Sequence, residues 1–323
     1  MVKCPVCLQT TEISSNDKNQ WYNLFKNNHF LMRLTDAIYK KREHSLFLCN
    51  NCDLIFIEPM KNPGSQFYEN SLYYRAGKIL DIQQLGWQQN MFLNDKIPSS
   101  GNLLDIGCGA GLFIKNAQEI GYKVTGIDFD PTSIDIAKKK YGLKDVYSET
   151  IEKFIETITD KFDIITMFEV LEHLDNPREV FQQIKKMLKP GGYIAISTPN
   201  RERGIDTFTD MDMPPNHLTH WNYKSLNYLL SEFGFKIVKS ERTIKSNDIA
   251  VWLSIKTSIG LVKKKVKLSK IKPISNQSVN LLKLLSKCKS KLVSVIGSIL
   301  YLPFAIMKKQ SSTIYILAQR IKQ

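Results

Sequence analysis

The sequence predicts an α/β fold: a parallel sheet covered by helices on both faces, with a small cysteine-bound segment ahead of it and a helical insertion before its last strand. Three observations predict it. From residue 102 onward, short and nearly continuous apolar runs alternate with helical patterns, as buried parallel strands and their crossovers do. The first of those runs ends in a glycine-rich stretch, "LLDIGCGAGLF" (103–113). Two C-x2-C pairs, "CPVC" (4–7) and "CNNC" (49–52), stand near the N-terminus.

The chain of 323 residues is long enough for one large domain with additions, or for two. At 43% hydrophobic and 24% charged residues it has the composition of a soluble globular protein. The opening "MVKCPVCLQT" lacks the apolar core of a signal peptide. The longest uncharged run, "LVSVIGSILYLPFAIM" (292–307), falls short of the ~18–20 residues of a membrane span and contains Pro303. These features predict a cytoplasmic protein whose thiols are reduced. The formal net charge of +14 is unevenly spread. Residues 244–323 hold 16 of the 45 Lys and Arg and one of the 31 Asp and Glu, Asp248, so residues 1–243 carry 29 basic against 30 acidic side chains. An argument for acidic partners applies to the C-terminal quarter alone.

Taken in order, residues 1–60 form the cysteine segment, and 61–98 a helical connector with "KNPGS" as a turn. The core spans 99–243. "NLLDI" (102–106) is a strand and 111–120 a helix. "KVTGID" (123–128) is a strand, and 131–141 a helix opening on Asp130-Pro131, an N-cap followed by proline in the first turn. "DVYS" is a short strand and 151–157 a helix. "FDIITM" (162–167) is a strand and 176–188 a helix, and "GYIAIST" (192–198) is a strand. A helix over 223–235 ends at Gly234, followed by the strand "KIVKSERT" (236–243). A final strand, "TIYILAQRI" (313–321), lies beyond the basic segment. If it pairs with 236–243, then 244–310 is a helical insertion between paired strands and 311–323 completes the core.

A strand that runs through glycines into a helix presents backbone N–H groups to a ligand, and glycine permits both close approach and positive φ. An acid at the end of the next strand, Asp128, can accept from ribose hydroxyls. Both features suit a dinucleotide or S-adenosylmethionine. Two details separate them. A dinucleotide fingerprint places glycine at its sixth position, where Gly107-Cys108-Gly109-Ala110-Gly111 is followed by Leu112. Asp105, ahead of the first glycine, suits a cationic amino group and would repel a pyrophosphate.

The ordered stretches "LLDIGCGAG", "IDFD", "FDIITMFEVLEHL" and "MLKPGGYIAISTPN" resemble those of class I S-adenosylmethionine-dependent methyltransferases over roughly 100–243. The resemblance implies a Rossmann-like, seven-stranded methyltransferase sheet whose last two strands are antiparallel. It also implies roles. Asp105 and the Gly107–Gly111 backbone, Cys108 and Gly109 included, hold the methionine end. Asp128 binds the ribose, Phe129 flanks the adenine, and Met167 and Phe168 lie near the sulfonium.

Four thiolates from Cys4, Cys7, Cys49 and Cys52 can close a tetrahedral structural zinc site, a zinc ribbon. The gap between the pairs exceeds the usual ~15–20 residues and is read as a helical excursion. Such a site would staple a segment that lacks a core of its own.

Methyl transfer is an in-line displacement, so the acceptor must be positioned and a hydroxyl must lose its proton. "FEVLEHLDN" supplies Glu169, Glu172 and His173, and the long stretch "PNRERGIDTFTDMDMPPNHLTHWN" supplies His217 and His220. In one reading, His217 or His220 is a general base for a sugar-type hydroxyl. "PPNHLTHW" followed by "FGF" resembles bacterial methyltransferases that begin with a zinc ribbon and often act on sugars or surface glycans. In another, Glu169, Glu172, His173 and a loop histidine ligate a divalent metal such as Mg2+. Glu169-x-x-Glu172-His173 resembles the metal motif of small-RNA 2′-O-methyltransferases and of some quinone O-methyltransferases, and its spacing places the three on one helical face.

The basic segment 260–309 sets Leu281, Leu285 and Leu292 against Lys283, Lys287 and Lys291, two faces of one helix. It suits an anionic membrane surface, a sheet-covering or dimer-forming helix, or nucleic acid. The last is disfavoured because no aromatic residues interleave the lysines. The expected function is a methyltransferase acting on a hydroxyl of a glycan or lipid-linked intermediate, with the protein peripheral at the membrane's cytoplasmic face. An RNA 2′-O-methyltransferase and a non-catalytic binding module are the alternatives. Intact Asp105, Gly107, Gly109 and Asp128 argue against the last.

Overall fold

The computed structural model describes residues 2–11, 13–14, 18–64, 67, 84–95, 97, 100–159, 161–204, 208–243 and 310–322. Most of the 61–98 connector and all of the 244–309 insertion lie outside the described residues, and with them the expected amphipathic helix. Among the described residues, no helix is long and apolar enough to cross a membrane.

The N-terminal segment contributes β1 (Ile13–Ser14), α1 (Lys18–Phe25), α2 (His29–Lys41), β2 (Ser45–Leu48) and β3 (Ile55–Glu58). The core follows with α3 (Trp87–Asp95), β4 (Gly101–Ile106), α4 (Leu112–Glu119), β5 (Tyr122–Asp128), α5 (Pro131–Tyr141), β6 (Val146–Ser148) and α6 (Ile151–Thr157). Then come β7 (Phe162–Phe168), α7 (Pro177–Met187), β8 (Leu188–Pro199), β9 (Thr219–His220), α8 (Tyr223–Glu232), β10 (Phe235–Thr243) and β11 (Gln310–Arg320).

Seven strands form one sheet in the order β10-β11-β8-β7-β4-β5-β6. The central pairs are parallel, and β11 runs antiparallel to both β10 and β8. The pairing of 235–243 with 310–320 therefore holds as expected, with Ser240 opposite Ile316. Apolar side chains alternate along the buried strands. Ile165 and Met167 of β7 join the core beneath α6, α7 and α8. Ile164 and Phe168 face the opposite side, beneath α3, α4 and α5. Local signals set the helix ends. Asp130 caps α5 by accepting from Thr132 N at 3.1 Å, and Asn222 caps α8 by accepting from Ser225 N at 2.9 Å.

The cysteine segment differs from expectation in one respect. It does not lack a core: Cys4, Val6, Cys49, Cys52, Leu54 and Phe56 are buried in the same cluster as Trp221 and Leu226, Leu229 and Leu230 of α8. Its sheet, in the order β1-β2-β3-β9, takes its last strand from the loop after β8. Helices α1 and α2 fill the gap between the cysteine pairs, as the spacing suggested, and pack with Phe208, Met213 and Leu218 of that same loop.

Candidate functional site

At the end of β4 the chain enters the glycine turn. Gly107 (φ +76), Gly109 (φ +53) and Gly111 (φ +85) all occupy the left-handed region. A Cβ on Gly107 would lie 2.4 Å from Val170 Cγ2, and one on Gly111 2.6 Å from Leu143 Cδ1. Side chains are excluded by conformation and by space together. Gly111 caps α4 with no side-chain hydrogen bond, so the first-turn N–H groups of that helix are not consumed by a cap.

Asp105 is 3% exposed. Burial pushes its carboxyl pKa up to about 7, a hydrogen bond from Thr166 Oγ1 at 2.6 Å pulls it down, and Asp128 raises it by repulsion. No cation among the described residues pairs with it, and a cationic amino group would offset that burial cost. Asp128 accepts from Gly109 N (2.8 Å) at one oxygen and from Asp130 N (2.9 Å) at the other. The acid therefore also buttresses the glycine turn. The residues present fit S-adenosylmethionine.

Phe129, the residue after Asp128, is 40% exposed. Phe168 packs edge-on to Phe113, with centroids 4.9 Å apart. Met167 has no exposed surface, so its side chain does not line the opening. Cys108 is turned inward against Gly126, and its backbone N donates to Ile127 O at 3.0 Å. Cys108 therefore presents neither its thiol nor its N–H to a ligand.

Beyond β7 the chain turns over the glycines. Glu169 adopts φ +56, a left-handed conformation rare for a residue with a side chain and typical of functional sites. Only Leu171–His173 is helical, as a short 3-10 turn. The expected single helical face is therefore not formed, and Glu169 stands apart from it. Glu172, His173 and His217 instead converge, with one ligand atom of each within 4.8 Å of the others. His173 Nδ1 lies 2.6 Å from Asn216 O. A carbonyl only accepts, so Nδ1 carries the proton and Nε2 is the nitrogen that could ligate a metal. Burial lowers the His173 pKa to about 4 and holds His217 well below the usual value, so both rings are neutral, the form that binds metal. Burial raises the Glu172 pKa strongly, with Glu169 adding repulsion, and raises Glu169 to about 7. A buried set of one carboxylate and two imidazoles, with a second carboxylate beside it, suits a divalent cation.

Hydroxyls on β8 orient the two carboxylates. Ser197 Oγ donates to Glu169 Oε1 at 2.8 Å, and Thr198 Oγ1 donates to Glu172 Oε2 at 3.1 Å. Sequence reading missed Ser197, Thr198 and Asn216. Two adjacent hydroxyl residues ending an otherwise apolar strand, "IAIST", were the available signal.

The histidine loop does not present two free bases. His217 belongs to the three-residue cluster, with its ring 4.9 Å from that of His173. His220 is 3% exposed, edge-on to Phe30 at 5.9 Å. Its pKa is lowered to about 3 by burial and by the charges of Arg203 and Arg201. It sits on β9, in register with Ile55. This placement gives His220 no exposed ring for the general-base role expected of it.

The four cysteines converge as expected. Cys4 Sγ lies 3.4 Å from Cys52 Sγ and Cys7 Sγ 3.4 Å from Cys49 Sγ, too long for disulfides, and all four sulfurs lie within 4.8 Å of one another. The two knuckles repeat one backbone turn. Cys4 N donates to Gln9 O and Cys49 N to Leu54 O, while Leu8 N and Asp53 N donate back to Cys4 O and Cys49 O. Leu8 (φ +63) and Asp53 (φ +64) are both left-handed. The hydrogen bond with Cys52 lowers the Cys4 pKa to about 6 against the effect of burial, and the set fits tetrahedral zinc.

A methyltransferase domain family matches residues 85–240. The ubiquinone biosynthesis O-methyltransferase of Actinobacillus pleuropneumoniae serotype 7 (strain AP76) is 40% identical over 163 residues, covering 47% of this chain and 67% of that one. The protein of the same name from Glaesserella parasuis serovar 5 (strain SH0165) is 39% identical over 162 residues, 47% of this chain and 66% of that one. The chain thus spans about two thirds of the length of these curated relatives. A solved SAM-dependent methyltransferase from Archaeoglobus fulgidus is 18% identical, with a TM-score of 0.47, over 77% of this chain and 100% of that one. The four cysteines lie outside the residues that the family matches.

Proposed function

Because this chain belongs to the S-adenosylmethionine-dependent methyltransferases, we propose that it methylates a hydroxyl oxygen held beside a divalent-metal centre of Glu172, His173 and His217. When bound, S-adenosylmethionine supplies a methyl group on a sulfonium, an electrophile that needs alignment more than activation. Asp105 takes its ammonium, Asp128 its ribose hydroxyls, and the Gly107–Gly111 backbone lies along its methionine end. A divalent cation such as Mg2+ would supply Lewis acidity that lowers the pKa of the acceptor hydroxyl. Glu172 Oε1, His173 Nε2 and a ring nitrogen of His217 would hold that ion. Thr198 and Asn216 fix the Glu172 and His173 side chains in place. Glu169, its pKa near 7 and one oxygen bonded by Ser197, takes the hydroxyl proton at its other oxygen.

The convergence of Glu172, His173 and His217 at the end of β7 carries this reading. The relatives' names support oxygen as the methylated atom and quinone biosynthesis as the setting, which makes a ring hydroxyl of a quinone precursor the acceptor we assign. They lend no support to a glycan. A sugar hydroxyl is the second reading. It is supported by the four-cysteine segment, which lies outside residues 85–240 and, with "PPNHLTHW", resembles bacterial methyltransferases that begin with a zinc ribbon and often act on sugars. Membrane binding rests on the basic segment, which is outside the described residues, and RNA on that segment together with the cysteine knuckles and the Glu169-x-x-Glu172-His173 phrase.

The test is methyl transfer from labelled S-adenosylmethionine to phenolic and to sugar acceptors, with and without added Mg2+. Glu172→Gln and His217→Ala are expected to lower kcat/KM at least 100-fold while S-adenosylhomocysteine affinity stays within about twofold. Full activity with no divalent ion would overturn the metal reading.

A further inference from the structure

We infer that the four-cysteine centre is a working part of the acceptor site: it positions Asp53 and β3, and these hold the loop that carries His217 and His220. The inference rests on the acceptor reading above.

Two routes lead from the knuckle to the acceptor residues. The first is main chain. Cys49 and Cys52 close the turn from which β3 starts. β3 then pairs antiparallel with β9, Ile55 opposite His220 and Phe56 opposite Thr219. One step further, Ile57 N donates to Leu218 O at 3.0 Å, and Leu218 N donates to Glu172 O at 2.8 Å. Leu218, next to His217, is therefore bonded on one side to the cysteine segment and on the other to a metal-ligating residue.

The second route is electrostatic. Asp53 directly follows Cys52, and its Oδ2 accepts from Arg201 Nη2 at 2.6 Å and from Asn222 Nδ2 at 2.7 Å. Arg201 is 3% exposed, and its Nε and Nη1 are buried without hydrogen-bond partners. Asp53 is the one carboxylate within salt-bridge distance of that guanidinium among the described residues. A buried cation with a single partner tolerates its loss poorly. The Arg201 backbone ties three elements together: its N donates to Trp221 O at 2.9 Å, and its carbonyl accepts from Asn28 Nδ2, the cap of α2, at 3.0 Å. Arg201 is thus a positioning residue, set by Asp53, which is set in turn by the knuckle.

Neither route includes a hydrogen bond to the methyl-donor side. Asp105, Asp128 and the glycine turn are held by bonds among themselves, to Asp130 and to Thr166 of β7. The inference therefore separates the two halves of the site: disturbing the knuckle should loosen the acceptor half and leave the donor half intact.

The test uses the full chain with zinc bound and the variant Asp53→Asn. Asparagine tolerates the left-handed backbone at this position, removes the charge and keeps one acceptor oxygen for Arg201 and Asn222. The expected result is unchanged zinc content and S-adenosylhomocysteine affinity within twofold. Mn2+ affinity falls at least tenfold, and amide exchange speeds up at least tenfold in peptides spanning 216–222 but not in those spanning 101–130. Wild-type protein stripped of zinc under reducing conditions should behave the same way. Unchanged exchange over 216–222 in both samples would overturn the inference and leave the cysteines as a remote staple. If wild-type protein bound no Mn2+, the acceptor-metal reading would fall, and exchange over 216–222 alone would still decide the role of the knuckle.

Discussion

Burial raises the Asp105 pKa to about 7, and that shift has a sign that can be tested. Below pH 7 the free protein holds a proton on this carboxyl that must leave before an ammonium can be paired. Affinity for S-adenosylhomocysteine is therefore expected to fall by up to tenfold per pH unit below about 7 and to level off above it. Asp105→Asn should flatten that profile and weaken binding about 10- to 100-fold, the worth of a charge-assisted contact. Calorimetry across pH 5.5–8.5 measures both, and a flat wild-type profile would remove the ammonium assignment. Gly107→Ala combines positive φ with a 2.4 Å clash against Val170, the residue after Glu169. A loss of about 1–3 kcal/mol is expected in urea unfolding, together with weaker donor binding. At this scale the sequence was informative where chemistry is local. Asp105, Asp128 and the three glycines declare themselves by spacing. Glu169 does not, because its left-handed backbone is imposed by the chain crossing the glycine turn, and "EVLEH" taken alone reads as helix.

Elements of the core were legible because their signals lie within themselves. The helix expected over 131–141 is Pro131–Tyr141 with its Asp130 cap, and the strand expected at 162–167 is Phe162–Phe168. The strand expected at 192–198 is longer, Leu188–Pro199, because its first residues pass through "LKPGG", a sequence that normally marks a turn. β9 was illegible: two residues of no distinctive pattern become a strand only because β3, far away in sequence, pairs with them. The Asn222 cap shows how one element serves two sites. Its Oδ1 accepts from Ser225 N, and its Nδ2 donates to Asp53 and to Glu202, each at 2.7 Å. Asn222→Ala is expected to cost about 2–3 kcal/mol in urea unfolding, more than the ~1 kcal/mol of a cap alone, since Asp53 also loses a donor. A cost no larger than a cap's would mean that the Asp53 contact contributes nothing.

Among the described residues a seven-stranded and a four-stranded sheet enclose three apolar clusters, and the cluster beneath α7 and α8 continues into the cysteine segment. A boundary near residue 60 seemed natural from composition, since paired cysteines give way there to a connector. Burial of Cys4, Cys49 and Cys52 with Leu226 and Leu229 shows that no such boundary divides the packing. Removal of zinc is accordingly expected to lower the melting temperature of the whole chain by about 10 °C as one transition. Scanning calorimetry would show a separate low-temperature transition if the segment were independent. The proposed acceptor site draws its residues from the end of β7, from β8 and from a loop held by the N-terminal sheet, so no single stretch of sequence displays it. The measurement that bears most directly on it is anomalous diffraction from crystals grown with Mn2+ and S-adenosylhomocysteine. The account predicts one manganese peak bounded by Glu172, His173 and His217, beside a zinc peak among the four cysteines. A zinc peak with no manganese between those three residues would contradict it.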